Sequence, residues 1–222
     1  MIEEMLGPPV EAAEAFGDDP AATLFPAEHA VMAKAPERRR REFTTARGCA
    51  RAALARLGQP PVPVLPDRLG APQWPEGFAG SITHCSGYRA AAVARTKYVL
   101  SLGLDAEPNR PLRDVGMLDI IARDEERARL GELAARVPGV CWDRLLFCAK
   151  EAVYKAWYPL AGCWLDFESA DIVIDPHEGA FTARLLVPGP LVAGSPLTTL
   201  RGRWLASHGF LVTAVVIWAL PS

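Results

Sequence analysis

Three groups of residues in this chain have types and spacings that chemistry could use. In Gly103-Leu104-Asp105-Ala106-Glu107 two acids stand two apart beside an apolar run. On a strand, side chains alternate between faces, so Asp105 and Glu107 point the same way. Two like charges that close either force one carboxyl to hold its proton or recruit a counter-ion, and an all-oxygen ligand set suits Mg²⁺. Taken alone, the same pair also describes a strand end running out into solvent.

The second group lies in Phe147-Cys148-Ala149-Lys150-Glu151-Ala152-Val153-Tyr154-Lys155-Ala156. On a helix, Glu151 and Lys155 are four apart and share a face with each other and, one turn earlier, with Phe147. An acid four residues before a lysine is also an ordinary surface ion pair, worth about 0.3 to 0.5 kcal/mol. Phe147 and Tyr154 flank the pair, and Leu146, Val153 and Trp157 fill the neighbouring stripe. That setting predicts partial burial, where an acid and a base have more reason to be functional.

The third group is cationic. Arg38 to Arg41 are followed by Arg47 and Arg51. Seven residues bring a helix back to nearly the same azimuth, so Arg40 and Arg47 are predicted to share a stripe, with Arg51 one turn further. The guanidinium fork suits phosphate, and a solvated, non-binding helix face is the alternative. His84, in Ser81-Ile82-Thr83-His84-Cys85, ends a strand-like run just before a glycine-containing turn. It is read either as a phosphate contact or as a packed core histidine.

These residues need particular elements to position them. Ala- and Pro-rich residues 1–35 carry short helical patterns, and Pro36 sits where a first helical turn tolerates proline. Phe43, Ala46, Ala50, Ala53, Leu54 and Leu57 predict a helix over Glu37 to Leu57, stopped by Gly58. A proline-broken loop, Gln59 to Gly80, leads to strands at Ser81 to His84, Ala90 to Ala94 and Val99 to Glu107. Pro108-Asn109-Arg110-Pro111 marks the best boundary, dividing the chain into residues 1–108 and 109–222. Helical material follows at Asp119 to Ala135, then a strong helix from about Trp142 to Tyr158 that Pro159 should end. Strands are predicted at Ala170 to Ile174, Phe181 to Val187 and Gly209 to Leu220, with Leu197 to Leu205 as a further one. Helix followed by strands thus occurs once in each half, which suggests a duplicated α+β unit.

Composition narrows the function classes. The chain has 222 residues, 50% hydrophobic, and 24 Lys plus Arg balance 26 Asp plus Glu to a formal charge of -2. No overall basic field argues for nucleic acid or an anionic membrane, so local patches must supply specificity. The run from Phe210 to Leu220 falls well short of the ~20 residues of a membrane helix and reads as a buried strand. The acidic start Met1-Ile2-Glu3-Glu4 is unlike a secretion signal. Five cysteines without a C-x-x-C pair, and four scattered histidines, argue for a reduced cytoplasmic setting without structural zinc.

In order, these segments resemble the larger, surfactin-type 4'-phosphopantetheinyl transferases, and most closely their actinobacterial branch. The anchors are the arginine-rich helix with Arg47, Trp74-Pro75, the Ser81 to Cys85 run, Gly103 to Glu107, and Trp142 through Lys155 with Ala156-Trp157. The resemblance implies two similar helix-plus-antiparallel-sheet halves with the active site in the cleft between them. It implies transfer of the phosphopantetheine arm of coenzyme A to a serine of an apo acyl or peptidyl carrier protein. Asp105, Glu107 and Glu151 then match the Mg²⁺ ligands, with Mn²⁺ an alternative and water completing the shell where Ala106 cannot ligate. Glu151 and Lys155 take the catalytic roles, Lys155 also standing near the pyrophosphate.

By the same resemblance His84 contacts phosphate, with Thr83 and Lys150 in the binding set, and Arg39 with Arg47 grip the 3'-phosphate. Arg40 is kept beside Arg39, and Arg68 stands in for a lysine of close relatives. Phe147, Tyr154 and Trp164 match the channel for the pantetheine arm. The partner is expected to be a small acidic helical protein, with Arg123, Arg127 and Arg129 as its receiving region, and the chain is expected to be a monomer. Two rival readings are a metal-dependent nuclease and a non-catalytic coenzyme A or carrier-binding module. Nuclease sites usually set acid and lysine two apart on a strand, whereas Glu151 and Lys155 are four apart on a helix.

Overall fold

The computed structural model describes residues 1–219. The N-terminal half runs α1 (Ile2–Leu6), β1 (Glu11–Phe16), α2 (Pro26–Val31), α3 (Glu37–Arg56), β2 (Phe78–Cys85), β3 (Tyr88–Arg95) and β4 (Val99–Pro108). The remainder runs α4 (Val115–Ile121), α5 (Asp124–Arg136), α6 (Trp142–Ala161), β5 (Ala170–Asp175), β6 (Ala180–Leu185), β7 (Leu191–Val192), β8 (Ser195–Pro196), β9 (Thr199–Ser207) and β10 (Phe210–Trp218). Leu220, at the end of the last predicted strand, lies outside the described residues.

The strands form two main antiparallel sheets, ordered β1-β3-β2 and β4-β10-β9-β6-β5, and β7 pairs with β8 apart from them. Alternation along β3 and β4 explains how the layers stack. Ala90, Ala92 and Ala94 of β3 meet Leu102, Leu104 and Ala106 of β4 in one buried apolar cluster, together with Val212 and Ala214 of β10. The opposite face of β3, Ala91 and Val93, is covered by Ala50, Ala53 and Leu54 of α3. The opposite face of the larger sheet is covered by α6, whose Ala149, Ala152, Val153 and Ala156 pack with Leu211, Val215 and Ile217. Each long helix thus covers one sheet, as the α+β duplication predicts.

The sheets are tied together at the site by two hydroxyls. Ser81 Oγ accepts from the Leu104 backbone N–H (3.0 Å), and Thr83 Oγ1 accepts from that of Ala106 (3.0 Å). By sheet membership β4 goes with the later strands, so the two main sheets part between β3 and β4.

Other departures from the expected elements have physical causes. Glu11–Phe16, inside residues 1–35 where short helical patterns are expected, is an edge strand because it pairs along β3 from Glu11↔Val93 to Phe16↔Tyr88. The Asp119 to Ala135 region is two helices, since Asp114 caps one and the Glu126 carboxylate accepts from Arg123 N–H to start the next. Helix α6 passes Pro159 and stops at Gly162, whose left-handed backbone (φ 66°) donates to Tyr158 O. A proline removes one backbone donor, and the helix nonetheless continues through it, with Trp157 buried on the same turn.

Candidate active site

Alternation turns Ser101, Gly103, Asp105 and Glu107 of β4 toward α6, and Gly103 lets the two elements touch. A Cβ there would lie 1.8 Å from Ala152 O, and Ser101 Oγ donates to Ala156 O (2.7 Å). This close crossing brings Lys155 onto the acids. Its Nζ donates to Asp105 Oδ1 (2.6 Å) and to Leu104 O (3.0 Å). Burial alone would lower the Lys155 pKa, but Asp105 and Glu151 outweigh it and hold the ammonium above its ordinary value.

Asp105 is 6% exposed, and its Oδ1 also accepts from Thr83 Oγ1 (3.2 Å). Its Oδ2 is buried with no hydrogen-bond partner. Glu107 receives Arg144 at 3.1 Å, yet burial and then Asp105 push its pKa up to about 6. Glu151 is likewise raised, by burial and then Asp105, against the opposing pull of Lys155. The charge of Asp105 thus bears on both Glu107 and Glu151. Among the described residues, no three His, Cys, Asp or Glu side chains stand close enough to hold a metal ion. The expected three-carboxylate set is thus not closed, because Lys155 and Arg144 take up Asp105 and Glu107. The unpartnered Oδ2 of Asp105, beside two carboxyls displaced toward the neutral form, still fits a place for a cation.

Two cavities meet at Lys155. One, of about 580 Å³, is cationic and is lined by Arg39, Arg47, Arg68, Thr83, His84 and Asp105. The other, of about 360 Å³, has Trp74, Leu100, Tyr154 and Tyr158 on its walls, with Glu151 at its edge. Gly70, Pro72, Ile82 and Lys155 line both. Arg47, only 5% exposed, donates from Nε to Val64 O (2.6 Å) and lies 4.0 Å over the Phe43 ring. Desolvation lowers its pKa to about 10, so it stays a cation at neutral pH. Arg39 donates to His84 Nε2. Burial, then Arg39 and Lys155, push the His84 pKa down to about 4.

The structure thus gathers Arg39, Arg47, Arg68, Thr83, His84, Asp105, Glu151, Tyr154 and Lys155 around the cleft, with Glu107 beside it. Trp164, 63% exposed, reaches it only by packing on Tyr154 (4.6 Å between ring centres). Three expected residues are elsewhere. Arg40 turns away and pairs with Glu37 at 2.7 Å, because one residue rotates a helix by about 100°. Lys150, one residue before Glu151, is buried against Glu126 (2.7 Å) and Phe167 O (2.7 Å) on the other side of α6. Phe147, half-buried, packs on Phe167 at the edge of the core. The Thr83 hydroxyl is spent on Asp105 and Ala106, which leaves it a positioning contact. Sequence reasoning assigned no role to Gly103, Asp67 or Tyr158. Tyr158 had a signal, lying three residues past Lys155 on the same helix face.

An α+β protein whose cationic cleft adjoins an apolar one, with an acid and lysine at the junction, is built to hold a long ligand anionic at one end. Comparison with known proteins gives that class its name. Residues 27–94 match the 4'-phosphopantetheinyl transferase N-terminal domain, and residues 101–196 match the 4'-phosphopantetheinyl transferase superfamily. The chain is 57% identical over 202 residues to the 4'-phosphopantetheinyl transferase Svp of Streptomyces mobaraensis, covering 91% of this chain and 82% of that protein. It is 47% identical over 210 residues to PptT of Mycobacterium tuberculosis, covering 92% and 91% of the two chains. Npt of Nocardia iowensis is 47% identical over 223 residues, with 97% and 99% covered. The chain belongs to the 4'-phosphopantetheinyl transferase family.

Proposed function

We propose that this protein moves the 4'-phosphopantetheine arm of coenzyme A onto a serine of an apo acyl or peptidyl carrier protein, releasing adenosine 3',5'-bisphosphate. The observation that carries this reading is the meeting of the cationic and apolar cavities at Lys155, which matches a ligand with phosphates at one end and a pantetheine arm at the other. Arg39, Arg47 and Arg68 receive the 3'-phosphate, with His84 against the phosphates. Trp74, Leu100 and Tyr154 line the arm.

Asp105, Glu107 and Glu151 would hold Mg²⁺, or Mn²⁺ in its place, which when bound supplies positive charge against the pyrophosphate. Glu151, whose carboxylate makes no hydrogen bond among the described residues, takes the proton of the carrier serine. Lys155, an ammonium held charged by Asp105, gives its charge or a proton to the departing phosphate oxygen.

The carrier's acidic surface needs uncommitted cations near Glu107. Arg123, Arg127 and Arg129 do not offer them, since they face Glu125, Asp124 and Asp171 respectively. Arg110 and Arg113, which line a groove with Glu107, have no ion-pair partner among the described residues and fit that role better. Two helix-covered sheets support reading the chain as a surfactin-type member, and we propose that it acts as a cytoplasmic monomer on neither nucleic acid nor membrane. No described helix is long and apolar enough to cross a membrane.

The test is to incubate the protein with coenzyme A, Mg²⁺ and an apo carrier and to weigh the carrier. A phosphopantetheinyl mass gain is expected. Nicked DNA in a parallel reaction would favour the nuclease, and coenzyme A binding with neither product would favour the non-catalytic module.

A further inference from the structure

The segment from Pro66 to Pro72 is the wall that the two cavities share. Pro66, Asp67 and Arg68 line the cationic side, Leu69 and Ala71 line the apolar side, and Gly70 and Pro72 line both. Its turn is closed by Asp67 N–H to Ala71 O (2.8 Å) and by Gln73 N–H to Leu65 O (2.8 Å), with Gly70 at φ +91° reversing the chain. One carboxylate organises it. Asp67 Oδ1 accepts from the N–H groups of Leu69 (2.8 Å) and Ala71 (2.9 Å), and Oδ2 accepts from the Tyr158 hydroxyl (2.8 Å).

Tyr158 stands on α6, one turn beyond Lys155 and two turns beyond Glu151. The Asp67 carboxylate thus shapes the loop with one oxygen and fastens it to the catalytic helix with the other. Beyond the Pro66–Pro72 bridge at its base, the tip of the loop, Arg68, Leu69 and Gly70, is exposed.

We propose that Tyr158 acts through Asp67 as a positioning residue, latching the 66–72 wall to α6 so that Arg68 faces the anionic end of coenzyme A and the apolar channel stays closed along Leu69 and Ala71. The inference rests on the proposed transferase reading for its ligand. It adds a role for two residues that contact neither the reacting phosphorus nor the carrier serine. A wall of this kind is touched equally by bound substrate and by the transition state, so its loss weakens binding without slowing the chemical step.

The experiment compares wild type with Tyr158→Phe, Asp67→Asn and the double variant. It measures steady-state transfer to an apo carrier, the Kd of coenzyme A by calorimetry, and the melting temperature. Each single change is expected to raise KM and Kd for coenzyme A by about five- to tenfold, the scale of one ordinary net hydrogen bond. Turnover should stay within about twofold of wild type, and the melting temperature should fall by no more than about 2 to 6 °C. The double variant should be no weaker than the weaker single one, since both changes open one latch. Unchanged Kd, an equal fall in turnover, or additive losses would each overturn the proposal. Calorimetry reads the latch even if wild type modifies no carrier, and that separate outcome would strike the transferase reading alone.

Discussion

Gly103→Ala changes no charged or polar group, yet the close crossing of β4 and α6 makes it a severe perturbation of the site. The new methyl would sit 1.8 Å from Ala152 O, 2.7 Å from Ala156 N and 2.9 Å from Ala152 C. All three are helix backbone and cannot rotate aside. Restoring ordinary contact requires α6 to retreat from β4 by at least about 1 Å. That retreat stretches the bonds that span the crossing, Ser101 Oγ to Ala156 O (2.7 Å), Lys155 Nζ to Leu104 O (3.0 Å) and Lys155 Nζ to Asp105 Oδ1 (2.6 Å).

Overpacking of this kind costs about 1 to 3 kcal/mol of stability, and a misplacement of about 1 Å at a reacting centre costs about 100-fold in rate. The expected result is a folded but less stable variant whose turnover in the carrier-mass assay is about 100-fold down. Circular dichroism and thermal melting confirm folding, and the rate is taken well below the melting temperature. Wild-type turnover and wild-type melting together would refute the reasoning, because they would mean that the helix need not lie against Gly103.

The two neighbouring arginines should behave differently. Arg39→Ala is expected to raise KM for coenzyme A about tenfold or more, whereas Arg40→Ala, whose partner is the exposed Glu37, should stay within about twofold. Lys150→Met should cost about 3 to 5 kcal/mol in chemical denaturation, because it strands the buried Glu126 carboxylate, while turnover per folded molecule is retained. His84 is held neutral to about pH 4 in the free protein, and a bound phosphate that draws off the Arg39 charge favours the imidazolium. Coenzyme A binding should then take up a proton at pH values between about 4 and the raised bound-state value, so affinity rises as pH falls through the bound-state value. Calorimetry in buffers of different ionisation heat should show that uptake, and His84→Asn should remove the share not due to the phosphate's own titration.

Much of the positioning was legible because it rests on simple periods. The alanine stripe of α3 and the apolar stripe of α6 are buried as their spacing predicts, and alternation alone sets Asp105 and Glu107 on the face toward α6. What escaped depends on partners distant in the chain. Glu11–Phe16 has a helical composition and becomes a strand only because β3 offers an edge. The seven-residue stripe favours Arg40, yet Arg39 lies at the first turn of α3 and its long side chain reaches His84. Lys150 adjoins Glu151 in sequence and is turned out of the site by the rotation of a single residue, into a pairing with Glu126 that nothing local announces. Asp67 and Tyr158 are 91 residues apart, and only the folded chain reveals their bond.

The central claim is that one cleft holds coenzyme A across both cavities, with the cation at the acids between β4 and α6. Anomalous scattering from crystals grown with coenzyme A and Mn²⁺ tests it most directly. A single manganese peak is predicted against Asp105 Oδ2, with Glu107 and Glu151 turned onto it and the 3'-phosphate between Arg39 and Arg47. Coenzyme A lying outside the two cavities, or bound there with no metal peak beside Asp105, would contradict it.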